Sequence, residues 1–134
     1  MYRTVDEFVT DWTRESDLSL KVQRALTDAS LGQKTDPEGR TLGDIAWHMV
    51  IMTGMTGSSV GLTIEAPSRG TPKPSAARVI ADAYEKAKES LRQQAATSMT
   101  DQKLAEEIEI FGRKMSRAAA LHGQSGTRSI TVGR

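Results

Sequence analysis

The sequence has 134 residues, one ordinary domain's worth of chain. Its 18 Lys and Arg against 17 Asp and Glu leave a net charge of +1, which disfavours binding to nucleic acid or an anionic membrane by charge alone. Hydrophobic residues at 37% and charged residues at 26% fit a folded domain rather than a disordered chain, and the lack of cysteine excludes disulfides, a thiolate nucleophile and cysteine-built metal centres. The N-terminal run MYRTVDEFVTDW is acidic where a signal peptide needs a basic start, and no stretch approaches the roughly 20 apolar residues of a membrane span. A cytoplasmic protein is expected.

Thr4-Val5-Asp6-Glu7 is a capping-box pattern that predicts a helix start. Val5, Phe8, Val9, Trp12, Leu20, Ala25, Leu26 and Ala29 then keep close to a 3.6-residue period, so the first helix is expected to end near Ser30. The Gly32 to Gly39 stretch, with Pro37 inside it, is turn chemistry. Thr41 to Asp44 repeats the start signal, and Leu42, Ile45, Ala46, Met49 and Met52 mark a second helix running into the mid-fifties. From Thr53 to Ser75 glycine and proline oppose regular structure, which predicts a frayed helix end and a long loop. Ser75 is the expected cap of a third helix that carries Ile80, Ala83, Tyr84, Ala87 and Leu91 to about Thr97.

Thr100 caps a short further segment read as helical through Leu104, Ile108 and Phe111 and broken at Gly112. A last helical segment carries Met115, Ala118, Ala119 and Leu121, and Gly123 stops it early. Ser129 to Val132 is a short β-like run with no evident partner. The reading is all-α: an antiparallel four-helix bundle with a shortened fourth helix, a bundle domain over residues 1–122 and a Gly-rich basic tail over residues 123–134. From Arg113 onward there are five basic residues and no acidic ones, against 13 basic and 17 acidic before it. That end reads as a solvated cationic patch, because it lacks the aromatic residues of a nucleic-acid arm.

Two histidines are present. His48 falls on or beside the buried stripe of the second helix, where it reads as a hydrogen-bonded core residue, with a metal ligand or catalytic base as the alternative. His122 reads as an exposed histidine at a helix C-terminus. Asp44 and Glu15 are candidate carboxylate ligands or bases if they face His48, but capping accounts for Asp44 and a solvated face for Glu15. Trp12 and Trp47 read as packing residues, with a ligand-lining role as the second option. No HExxH or Walker-type phosphate loop is found.

The run Arg40-Thr41-Leu42-Gly43-Asp44-Ile45-Ala46-Trp47-His48-Met49 follows a Trp- and Glu-bearing helix and a Pro/Gly turn, and it resembles the DinB-like (YfiT-like) four-helix-bundle superfamily. The similarity extends over most of the chain, including Phe111-Gly112-Arg113-Lys114-Met115-Ser116. The resemblance implies a divalent metal, zinc or nickel, on three histidines, one from the second helix and two from the fourth. It places His48 at the first ligand position. Members include thiol-dependent S-transferases, a thiol-dependent isomerase and metal-dependent hydrolases, in which the metal lowers the pKa of a bound thiol or water.

The chain departs from that pattern in its last helix, where the family's His-x-x-x-His is replaced by Leu121-His122-Gly123-Gln124. His122 is the nearest counterpart of a second ligand, and a truncated or frame-shifted product is the corresponding expectation. Two functions follow from the resemblance. One is a divalent-metal-binding bundle acting on a small-molecule thiol or electrophile, with His48 and His122 as metal ligands. The other is a degenerate, non-catalytic bundle acting as a binding or stress-related accessory protein. A homodimer is expected under both, because a short fourth helix would leave apolar stripes uncovered.

Overall fold

Helix α1 begins at Val5 because the capping box forms: Glu7 N donates to Thr4 Oγ1 at 3.1 Å, and Thr4 N donates to the Glu7 carboxylate at 3.1 Å. In this computed structural model, which describes residues 2–37, 39–110 and 112–126 with side chains through His122, five helices and one hairpin follow in order. They are α1 (Val5–Ala25), α2 (Leu42–Ser59), α3 (Ala77–Ser98), α4 (Asp101–Ala105), β1 (Glu107–Ile110), β2 (Arg113–Ser116) and α5 (Arg117–Gly126). A single 3-10 turn, Ser30–Gly32, lies between α1 and α2. Packing runs α1 on α3, α3 on α2, α2 on α5, and α5 back on α1. No described helix is long and apolar enough to cross a membrane.

The buried residues form two apolar clusters. One gathers Phe8, Trp12, Val60, Leu91, Leu104 and Leu121, and the other Leu31, Met49, Val50, Ile80 and Tyr84. Along α1, α2 and α3, the buried polar residues Ser16, Ser19, Thr53 and Lys88 fall between members of the two clusters. Lys88 is only 4% exposed, and its ammonium group reaches Asp17 at 2.7 Å and Glu89 at 3.2 Å. Trp12, fully buried, donates its indole N–H to the Lys88 carbonyl at 3.0 Å and so ties α1 to the middle of α3.

Four expectations are corrected. The molecule is mostly helical rather than all-α, because Glu107–Ile110 pairs antiparallel with Arg113–Ser116, Ile108 standing opposite Met115. The alternation Glu-Ile-Glu-Ile has the period of a strand, and Gly112, at φ +77°, supplies the left-handed turn residue. The helix from Thr100 therefore stops at Ala105, with Ile108 in the hairpin. Ser75 does not cap α3, which starts after Ala76 without a side-chain cap of its own. The Ala77 N–H instead donates to Asp28 Oδ1 at 2.7 Å, a cap supplied from the end of the α1 connection. Helix α1 ends at Ala25, five residues before Ser30. The Ser129 to Val132 run lies outside the described residues.

Between α2 and α3 the connection lies flat on α2, because two glycines admit it. A Cβ on Gly57 would stand 2.2 Å from Ile64 Cγ1, and one on Gly54 would stand 2.7 Å from Ala66 Cβ. This close approach carries residues 64–71 along one face of α2 and roofs the site described next.

Candidate functional site

Helix α2 is apolar on two faces. Ala46, Met49, Val50, Thr53 and Gly57 are buried on one of them. Asp44, Trp47, His48, Ile51, Met52 and Met55, at helical spacings of three and four, form the other. Together with Arg69, Gly70 and Thr71 of the connection, this second face encloses a cleft of about 520 Å³, a size that suits a small organic ligand. A second cleft, of about 450 Å³, lies between Glu65 to Pro67 and the α3 residues Asp82, Ala83 and Lys86.

The roof of the first cleft is held by two latches and a turn. The Trp47 indole N–H donates to the Thr71 carbonyl at 3.0 Å, and Lys73 Nζ donates to Asp44 Oδ1 at 2.7 Å. Thr71 N donates back to the Ser68 carbonyl at 3.1 Å, closing a turn in which Gly70 adopts φ +93°. A positive φ at the third turn position is the type II requirement that glycine meets without strain, and it leaves Arg69 at the second position, on the turn's tip.

Asp44 is a capping residue, as its sequence position implies. It accepts from Thr41 N at 3.1 Å, while its own N–H donates to Thr41 Oγ1 at 3.1 Å. The Lys73 hydrogen bond, and then the bond from the Thr41 backbone, hold its carboxyl down at about 2. Its negative charge is thus permanent near neutral pH and already answered by Lys73.

His48 differs from the expectation of a core histidine: its side chain is exposed and lines the cleft. Among the described residues, no hydrogen bond or ion pair engages its imidazole. The cause is phase, since Ala46, Met49 and Val50 turn inward while His48 shares its face with Asp44, one turn earlier. His122 is also exposed, but it stands against the edge of Tyr2, with ring centroids 5.9 Å apart and planes at 68°. It is absent from the cleft lining, so the two histidines are not brought into one site. Glu15 does not line the cleft either. Trp12 is a core residue, whereas Trp47 is half-buried and forms one wall of the cleft.

Arg69, Met55 and Ile51 were not singled out by sequence reasoning. The available signal was the surplus of apolar residues on α2: Trp47, Ile51, Met52 and Met55 exceed what one buried stripe requires.

The five helices and the small hairpin define a mostly helical class of domain. The family model described as "DinB family" matches residues 1–122, and the chain belongs to the DinB family. It is 38% identical over 121 residues to the uncharacterized protein YrdA of Bacillus subtilis (strain 168), covering 90% of this chain and 72% of that protein. The crystal structure of a DinB-like protein from Bacillus cereus ATCC 10987 superposes with a TM-score of 0.91 at 32% identity, covering 98% of this chain and 87% of that one.

Proposed function

We propose that this DinB-family chain binds a small organic molecule in the cleft over α2, with His48 as the polar group that meets it. The observation that carries the reading is the unengaged His48 imidazole, set among Trp47, Ile51, Met52 and Met55. Apolar walls around a few polar groups are the usual build of a small-molecule site. A neutral imidazole offers both a donor and an acceptor to such a ligand.

A divalent ion on three histidines, zinc or nickel, is what family resemblance implies, and the donor set argues against it in this chain. Among the described residues, no three His, Asp or Glu side chains gather into a metal-holding group. In the cleft, the carboxylate nearest His48 along the helix is Asp44, already bonded to Lys73 and Thr41. The binding function is therefore favoured over the metal-dependent transferase or hydrolase.

The test is a small-molecule thermal-shift screen on the native protein and His48→Ala, beside metal analysis of both. Ligands whose stabilisation is lost in His48→Ala, with no stoichiometric metal, are the expected result. Zinc or nickel retained near one per chain, and lost in His48→Ala, would overturn the binding reading in favour of the metal-dependent enzyme.

A further inference from the structure

We infer that Arg69 is the anion-recognition residue of this cleft, and that the cleft takes an amphipathic monocarboxylate whose apolar body lies against Trp47. The inference rests on the cleft being a small-molecule site and adds the chemical class of the ligand. Arg69 lies at the tip of the Ser68–Thr71 turn, where Gly70 at φ +93° and the Thr71 N–H to Ser68 carbonyl bond fix the backbone. The turn is pinned to the opposite wall through the Trp47 N–H to Thr71 carbonyl bond, so Arg69 and Trp47 line one cavity.

Among the charged residues that line this cleft, one cation is left without an ion pair. Arg24, Arg40, Arg92 and Arg117 all form ion pairs, as do Lys73 and Lys88. Arg69 enters none among the described residues, although it lines a cavity. The carboxylate in the same lining, Asp44, has its charge taken up by Lys73 at 2.7 Å and offers Arg69 no competing partner. A guanidinium presents a planar fork that matches a carboxylate with two parallel N–H···O bonds. One unpaired cation suits a monoanion; a phosphate dianion would call for more positive charge than the cleft offers. Trp47, Ile51, Met52 and Met55 then supply the apolar surface, the methionines adapting to the ligand's shape.

The experiment is a ¹⁵N NMR titration of the native protein with 3-phenylpropanoate and with the near-isosteric neutral 3-phenylpropanamide. The Trp47 indole resonance is the reporter and the buried Trp12 indole the internal reference. The expected result is that the acid binds about tenfold tighter than the amide, with an advantage that shrinks as salt is added. Arg69→Gln should bring the acid down to the affinity of the amide without changing the amide, and Arg69→Lys should keep part of the preference. Equal affinities for acid and amide, untouched by Arg69→Gln but still moving the Trp47 resonance, would overturn the role of Arg69 and leave the cleft standing. No movement of Trp47 by either probe at millimolar concentration would overturn the inference together with its aromatic subsite, while the His48→Ala screen judges the cleft by itself.

Discussion

Trp47 and Thr71 are joined by one hydrogen bond, indole N–H to carbonyl at 3.0 Å, that spans 24 residues of sequence and fastens the roof of the cleft to its wall. Trp47→Phe keeps the aromatic surface and deletes the donor. The expected cost is about 1 kcal/mol, because one net hydrogen bond is lost and the Thr71 carbonyl can turn to water. Hydrogen exchange should also quicken at the Thr71 amide while the core of α3 stays protected.

Asp44 gives the latch a pH dependence. Its carboxyl lies at about 2 in the folded protein, below the ordinary 3.8, first because of Lys73 and then because of the Thr41 backbone. The unfolded chain therefore binds more protons in that interval, and stability rises with pH across it. The contribution is fully present above pH 3.8 and is lost as pH falls through about 2. The side chain is nearly half exposed, so solvent screening keeps the effect small. Urea midpoints measured from pH 5 down to 2 should fall less steeply in Asp44→Asn than in the native protein.

Gly57→Ala should be the most damaging single-methyl addition on α2. Its Cβ would stand 2.2 Å from Ile64 Cγ1 and 3.5 Å from Ile64 Cβ, so the connection itself must move. Overpacking of this kind costs about 1–3 kcal/mol, and thermal unfolding will measure it. A Gly61→Ala control meets no neighbouring atom but sits at φ +91°, which isolates backbone strain from crowding.

Arg117 is expected to matter for stability rather than for ligand binding. Its guanidinium donates to the Val60 carbonyl at 3.1 Å, the Lys103 carbonyl at 3.2 Å and Glu106 at 2.8 Å, joining the ends of α2, α4 and α5. Arg117→Ala should cost about 2 kcal/mol, since charge-assisted bonds to partly buried acceptors are lost. Neither Arg117 nor its partners Val60, Lys103 and Glu106 line the cleft, so ligand affinity in the thermal-shift screen should be unchanged.

Helix starts at Thr4 and Thr41 were legible because capping boxes are local and both partners lie within four residues. The hairpin was not. Ile108 satisfies a helical spacing from Leu104 and a strand alternation with Ile110 equally well, and pairing with Arg113–Ser116 decides between them. The cleft was half legible. His48 was marked as a residue of interest, yet a helix apolar on two faces does not reveal which face its neighbours cover. The answer lies in residues 64–71, which have no periodicity and whose path depends on two glycines making room for Ile64 and Ala66. The same ambiguity placed Trp47 with Trp12 in the packing, although one lines a cavity and the other is wholly enclosed.

The pairing of α1 with α3 sets the order in which the chain can fold. Trp12 must find the Lys88 carbonyl, 76 residues away, and the Val5 N–H must find Asp101 Oδ1, 96 residues away. During synthesis at about 5–20 residues per second, Trp12 leaves the ribosome about 4–15 s before its acceptor does. Through that interval Phe8 and Trp12 have no α3 to lie against. The nascent N-terminal helix can be enclosed only after Leu91 and Leu104 have emerged to pack against it.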